Sequence, residues 1–241
     1  MANVEKRKII IVNGDDFGAS IGINRGLIEA HKNGILTSAS LMINMPAAEE
    51  AIELSAAYPD LGVGLHVNFT NEGDPVIDLS DIEAARTELN EQYQRFVECA
   101  GRPPTHIDSH HNVHRRPELA PLFMELAEAQ RLFLREHSPV RYFSSFYGQW
   151  GGESHPEHIS PEQLVNVLET EIQPGYTELA CHPGYMNGEF ISEYAVEREV
   201  ELRSLCSRRV KQCIAELEIE LVNYSSVRTQ LGSMAPRPVR S

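Results

Sequence analysis

Two adjacent carboxylates stand where the first apolar run of the chain ends. Residues 9–12 are aliphatic, and Asn13 and Gly14 lead from them into Asp15 and Asp16. Neighbouring carboxylates at the end of a buried strand repel each other and lose solvation, so a fold tolerates them where a cation or a proton transfer compensates. A solvated Asp-rich turn that caps the following helix is the structural alternative.

Histidines at the ends of three later apolar runs favour chemistry over a simple turn. These residues are His66, His110 and His182. Asp16, His66 and His110 would supply one carboxylate and two imidazoles, the ligand set of open metal sites where water or substrate takes the remaining positions. A lone histidine is more often a satisfied core or surface residue. Three histidines at strand ends beside an Asp pair are not independent, so we predict a metal site.

Strand alternation divides the roles within the histidine-rich segment 106–114. Asp108 and His110 are two residues apart, so an extended chain points both to one face and His111 to the other. Asp108 is then the natural partner that fixes the tautomer of an imidazole ligand. His114 lies beyond the strand and is expected to reach the substrate cavity from the loop. For His111, a structural role and a surface position stay equally open.

Strand-like and helical segments alternate along the chain. The strand-like runs fall at about 8–13, 36–44, 61–68, 105–108, 140–143, 177–181 and 219–223. Helical periodicity falls at 23–31, 47–57, 82–99, 118–129, 161–172 and 193–217. This alternation is typical of parallel β-α units, and we predict one domain over residues 1–230 with a loosely held tail at 231–241.

The positions of the polar residues favour a barrel over an open sheet. They follow the first, third, fourth and sixth predicted strands. At the usual strand spacing of about 4.8 Å, the first and sixth strands of an open sheet could lie tens of ångströms apart. A closed barrel brings all carboxyl ends around one mouth. We therefore predict an α/β fold, a single-domain distorted β/α barrel of about seven parallel strands.

Composition excludes several classes of partner. The formal net charge of −14 argues against a nucleic-acid partner, because phosphate binding needs a basic surface. No apolar run approaches the roughly 18 residues of a membrane-spanning helix, so we expect no membrane segment. The four cysteines lack CxxC spacing, which favours a reduced, cytoplasmic setting. The helical stretch 193–217 can bury a partner face, so a homodimer is a further expectation.

Five segments, in the same order along the chain, resemble the signature segments of the YdjC-like carbohydrate deacetylases. They are residues 12–18, 33–38, 64–68, 104–111 and 181–183. That family includes chitooligosaccharide deacetylases and deacetylases linked to hopanoid biosynthesis. The resemblance implies a barrel-like α/β fold, a divalent metal on Asp16, His66 and His110, and hydrolysis of an N-acetyl group on an amino sugar. It also implies that Asp15 is the catalytic base.

The implied reaction gives roles to further residues. A metal lowers the pKa of bound water to about 7 and polarises the amide carbonyl, a carboxylate takes the proton of the water, and a histidine protonates the departing amine. Asp15 and His182 suit the last two roles. The aromatic side chains of Phe17, Tyr147 and Trp150 offer faces to a sugar ring, and the last two lie in the glycine-rich segment 144–160.

Two other functions stay open at the level of sequence. A metal-dependent phosphoesterase shares such ligands but usually needs a second metal and cationic side chains, whereas the motifs here hold no lysine and only Arg115 and Arg116. A sugar-binding relative without turnover needs only one of the paired aspartates. Two imidazoles and a carboxylate favour zinc slightly, with magnesium, often described for the family, close behind. The expected partner is an N-acetylated sugar.

Overall fold

Eight strands form the central sheet of the computed structural model, which describes residues 6–72, 75–186 and 192–234. They are β1 (Lys8–Phe17), β2 (Ser38–Leu41), β3 (Gly62–Val67), β4 (His106–Ser109), β5 (Phe133–Leu134), β6 (Arg141–Phe143), β9 (Gly175–Cys181) and β10 (Glu220–Leu221). A separate antiparallel hairpin pairs β7 (Gln149–Trp150) with β8 (Glu153–Ser154). This hairpin lies inside the glycine-rich segment 144–160.

The strands of the central sheet pair in parallel and the sheet curls into a half-barrel. The order is β5-β4-β3-β2-β1-β9-β6, and β10 lies beside the first residues of β1. Arg135, just after β5, reaches Asp15 in β1 and Glu178 in β9, which shows how far the sheet closes on itself. The predicted α/β barrel architecture with parallel strands is confirmed in the form of a half-barrel. Within the described residues, β5 and β6 are the two edge strands of its sheet.

Helices cover the outside of the half-barrel. They are α1 (Ile21–Asn33), α2 (Ala48–Ala56), α3 (Ile82–Ala100), α4 (Ala120–Gln130), α5 (Pro161–Thr170), α6 (Val196–Leu205), α7 (Arg208–Glu216) and α8 (Tyr224–Met234). Side-chain oxygens cap the first turns of α1, α3 and α5, as the Ser and Asp residues before them indicate. None of the helices in the described ranges is long and apolar enough to cross a membrane.

Two predicted boundaries differ from the structure. The single helix expected over 193–217 is two helices, because Ser207 adopts an extended backbone between α6 and α7. Part of the predicted tail is ordered: residues 231–234 form the last turn of α8, while 235–241 lie outside the described residues.

The core residues of the described ranges fall into two clusters, one on each face of β1. Alternate residues of β1 face opposite ways, so Ile10 packs in the large cluster under the outer helices. Ile9 and Ile11 pack with Tyr224 and Val227 of α8 in a second cluster. This second cluster fills the half-barrel near the start of β1, and the carboxyl ends of the strands are left to form the site.

Candidate active site at the carboxyl ends of the strands

A cavity of about 740 Å³ lies over the carboxyl ends of the strands. Asp15, Asp16, His66, His110 and His182 all line it, together with residues of the 144–149 and 192–194 segments. The structure thus brings together the five residues for which the sequence predicts catalytic or metal-binding roles.

The end of β1 turns sharply to present the two aspartates. Asp16 has φ +67° and Gly18 has φ +90°, in the left-handed region that Asp and Gly tolerate better than most residues. The turn is held by Asn24, whose Oδ1 accepts the N–H of Gly18 at 2.7 Å. Asp15 and Asp16 are both buried. The backbone turn therefore sets where the two carboxylates lie, and burial keeps their side chains from moving freely in solvent.

Asp16, His66 and His110 form a compact donor set. Oδ1 of Asp16 lies 3.4 Å from Nε2 of His66 and 3.1 Å from Nδ1 of His110, and one donor atom from each residue lies within 4.8 Å of the others. Nδ1 of His66 is occupied by Oδ1 of Asp108 at 2.7 Å, which leaves Nε2 for the cavity. Asp108 thus has the predicted orienting position.

The electrostatics of this cluster favour a cation between the rings. Burial lowers the pKa of His66, but the Asp108 and Asp15 carboxylates outweigh burial and raise it to about 10. The same negative field attracts a metal ion as well as a proton. In the described part of the chain, the buried Nε2 of His110 has no hydrogen-bond partner. These observations and the donor chemistry fit a divalent metal.

Asp15 is held by an arginine that the sequence did not indicate. Nη1 and Nη2 of Arg135 donate to its two carboxylate oxygens at 2.8 Å each, and Nδ2 of Asn13 donates to Oδ1 at 2.8 Å. Arg135 also contacts Asp108 at 2.7 Å and Glu178 at 2.6 Å. A two-point arginine contact fixes the rotation of a carboxylate. The carboxylate group of Asp15 is therefore held in one orientation at the cavity wall.

His182 lies near the Asp15 carboxylate oxygen that Nη1 of Arg135 also contacts. Its Nε2 is 3.9 Å from Oδ2 of Asp15. Its backbone N–H donates to Glu201, which also accepts the hydroxyl of Tyr194. Burial lowers the pKa of His182 to about 4, more than the Asp15 and Asp16 carboxylates raise it. The ring is therefore neutral at pH 7 and must receive a proton before it can donate one.

Of the three aromatic residues predicted to contact the sugar, one lines the cavity and two do not. Tyr147 lines the cavity and stacks on Tyr194, with ring centroids 4.7 Å apart and planes 6° apart. Phe17 is fully buried in the main core, so it offers no face to a ligand. Trp150 is 46% exposed and stacks on His155 at 3.9 Å, outside the cavity lining. The hairpin geometry turns the Trp150 ring towards its own segment.

His114 is placed differently from expectation, whereas His111 lies at the surface, one of the two alternatives left open for it. His114 does not line the cavity: its ring is fully buried, with Nδ1 at 2.6 Å from Oγ of Ser109, because the chain turns back after β4 in a 3₁₀ helix. His111 is exposed on the cavity wall, where Nδ1 hydrogen-bonds to Thr70 at 2.8 Å.

Three buried charged residues of the site come from segments without a recognisable motif. Arg135 follows the short run 132–134, which has too few apolar residues to stand out as a strand. Arg198 and Glu201 lie in α6, whose sequence is rich in charge and resembles a solvated surface. Nη2 of Arg198 donates to Oδ2 of Asp16 at 2.6 Å. The one available signal was the polar residue directly after the run 132–134.

A half-barrel of parallel strands with a buried His/Asp cluster at their carboxyl ends defines a barrel-type protein with a candidate metal centre. The chain belongs to the YdjC-like protein family, whose model matches residues 9–216. The family resemblance predicted from the five segments is confirmed.

Named relatives match nearly the whole chain. A carbohydrate deacetylase of Clostridium beijerinckii is 34% identical over 90% of this chain and 99% of its own length. A chitooligosaccharide deacetylase of Escherichia fergusonii is 34% identical over 91% of this chain and 99% of its own. A solved structure from Enterococcus faecalis, provisionally described as a cellobiose-phosphate cleavage protein, has a TM-score of 0.81 at 29% identity and covers 92% of this chain and 99% of its own.

Proposed function

We propose that the protein is a metal-dependent carbohydrate deacetylase that hydrolyses the N-acetyl group of an amino sugar and releases acetate. The observation that carries the proposal is the Asp16, His66 and His110 donor set beside the Asp15 and His182 pair in one cavity. The names of the relatives support the same reaction.

Asp16, His66 and His110 would hold the metal. A divalent ion held there would supply Lewis acidity for polarising the acetyl carbonyl and for making water a better nucleophile near pH 7. Two imidazoles and a carboxylate favour zinc slightly over magnesium, because imidazole is a ligand of late transition metals. Asp108 fixes the tautomer of His66 so that its Nε2 carries the lone pair.

Asp15 takes a proton from the attacking water, and His182 delivers one to the departing amine. Arg135 holds the Asp15 carboxylate in one orientation for the first step. His182 is 3.9 Å from Asp15 and neutral at rest, so it can receive the proton and pass it on. An imidazolium whose pKa is near 4 is a strong acid, which suits protonation of a poor leaving group.

We expect His182→Ala to lower turnover of an N-acetyl sugar by about 10² or more, because an amide nitrogen leaves only after protonation. An aryl acetate has a leaving group that departs unaided, so its hydrolysis should fall much less. The measurement compares kcat/KM for both substrates, provided that the wild type turns over both, with metal content as a control. Equal losses on the two substrates would remove His182 from the acid role.

Tyr147 is expected to stack on the sugar. Tyr147→Ala should raise KM about two- to tenfold with little change in kcat, since ring stacking contributes about 0.5–1.5 kcal/mol. Tyr147→Phe keeps the ring and should keep KM. Trp150→Ala is the matched control, because Trp150 lies in the same segment but outside the cavity lining. A rise in KM for Trp150→Ala alone would return the sugar-binding role to Trp150.

Acetate release from a panel of N-acetylated sugars tests the proposed function. The protein should release acetate after loading with zinc or magnesium and lose this activity when the metal is chelated. Release that survives chelation would contradict metal dependence. Tight sugar binding without acetate from any substrate would instead favour a non-catalytic sugar-binding relative.

A further inference from the structure

Glu201 is a fully buried carboxylate that has no role in the proposed reaction. It lies in α6, and its two oxygens accept hydrogen bonds from different parts of the cavity wall. Oε2 accepts the backbone N–H of His182, and Oε1 accepts the hydroxyl of Tyr194. A buried carboxylate is costly unless hydrogen bonds compensate for its lost solvation. Glu201 therefore joins the strand end that carries the proposed acid to the segment that precedes α6.

Tyr194 extends this connection to the segment that carries Tyr147. The hydroxyl oxygen of Tyr194 accepts the backbone N–H of Gly148 at 2.9 Å. Its ring stacks on the ring of Tyr147, with centroids 4.7 Å apart. A Cβ at Gly148 would lie 2.7 Å from Cδ1 of Ile159, so this backbone already packs closely against its neighbours. Tyr194 thus contacts both the backbone and the aromatic ring of segment 147–148.

The ring of His182 is held by aromatic neighbours and not by a carboxylate. Within the described residues, its buried Nδ1 has no hydrogen-bond partner, and its Nε2 lies 3.9 Å from Asp15, beyond hydrogen-bond length. The ring meets Tyr147 and Tyr194 edge to face, with centroids 5.8 Å and 5.4 Å apart. Such contacts are favourable only in certain orientations. The two tyrosines therefore limit how the His182 ring can rotate.

We propose that Glu201 and Tyr194 form a positioning pair, which holds the His182 ring for proton delivery and the Tyr147 ring for sugar stacking. This inference rests on the proposed deacetylase function and adds two residues to it. Glu201 does not line the cavity, and the Tyr194 hydroxyl donates to Glu201, so both residues act through their neighbours. Orientation of this kind matters because a misplacement of about 1 Å can cost about 10²-fold in rate.

Tyr194→Phe tests the pair because it keeps the ring and removes only the hydroxyl. In the metal-loaded variant, we expect kcat/KM for an N-acetyl sugar to fall about two- to tenfold, the range of one net hydrogen bond. Hydrolysis of an aryl acetate should change little, because its leaving group needs no acid and it has no sugar to stack. Metal content should equal that of the wild type. An equal loss on both substrates would indicate a merely structural role and overturn the inference.

Tyr93→Phe is the matched control for that variant. The hydroxyl of Tyr93 donates to Gln130 at 2.9 Å, between α3 and α4 and outside the cavity lining. Its loss also removes one partly buried hydrogen bond, but far from the proposed acid. We expect both activities to persist in Tyr93→Phe. The same selective loss on the N-acetyl sugar in this control would contradict a specific role for Tyr194.

Glu201→Gln tests whether the two residues act together. The amide keeps the size of the side chain but offers one acceptor oxygen instead of two, so one of the two donors loses its partner. We expect the selective loss of Tyr194→Phe, and the double variant should lose little more than the greater single loss, because members of one hydrogen-bond network couple. Losses that multiply would refute the pair. If thermal unfolding shows that Glu201→Gln does not fold, the comparison of Tyr194→Phe with Tyr93→Phe decides.

Failure of the proposed function would look different. If the wild type releases acetate from neither substrate, the deacetylase proposal fails for these substrates, and the positioning is measured by NMR of isotope-labelled histidine rings in the metal-loaded protein. The His182 signal is assigned by its absence from His182→Ala. It should broaden or split in Tyr194→Phe, because the ring then samples more than one orientation, and stay a single line in Tyr93→Phe. A His182 signal that is unchanged in Tyr194→Phe would rule out the positioning role.

Discussion

His110→Ala is expected to lose the bound metal and with it deacetylase turnover, while the fold persists. His110 lies directly after β4 on the cavity wall, and its ring contacts Asp16 at 3.1 Å. Removing one of three protein ligands leaves a carboxylate and one imidazole, too few to retain a catalytic zinc ion firmly. The measurements are metal content after dialysis, acetate release, and a thermal unfolding curve.

His111→Ala is the matched control for that experiment. His111 is the next residue, its ring centroid lies 3.9 Å from that of His110, and it lines the same cavity. A second set of donors, Glu72, His110 and His111, also lies within ligand distance. Retention of metal by His111→Ala supports the set that contains Asp16 and His66. Loss of metal from His111→Ala and retention by His66→Ala would assign the ion to the second set.

Asp15→Asn is expected to keep the metal and to lower kcat by about 10² to 10⁴, the usual contribution of a general base. The amide keeps an oxygen for Arg135 but cannot take a proton from water. Because Asp15 is not in the proposed ligand set, the metal content should equal that of the wild type. Loss of metal from this variant would move Asp15 into the ligand set.

Glu178→Gln separates the base from the buried ion-pair network. Glu178 shares Arg135 with Asp15, accepts the hydroxyl of Tyr224, and does not line the cavity. The variant perturbs the same arginine without touching the reacting groups, so kcat should fall far less than in Asp15→Asn. Similar losses in both variants would attribute the Asp15 effect to the network and not to proton transfer.

The sequence alone determined where the polar groups would meet. In parallel β-α units, a residue that follows an apolar strand lies at the carboxyl edge of the sheet, whatever the details of packing. Asp15, Asp16, His66, His110 and His182 obey this local rule, and all five line the cavity. Strand alternation predicted that Asp108 shares a face with His110 and orients an imidazole ligand, and the structure shows that the imidazole it contacts is that of His66.

Only the tertiary structure decided which residues complete the site. Arg135 and Asp15 are 120 residues apart, and Arg198 and Asp16 are 182 apart, so no local pattern links the partners. The two arginine side chains reach these aspartates because the sheet curls and because α6 packs beside the carboxyl ends of the strands. The same packing buries Phe17, encloses His114 and turns Trp150 away from the cavity. Aromatic and imidazole rings suit a core as well as a ligand, and surroundings assembled from distant segments decide between the two.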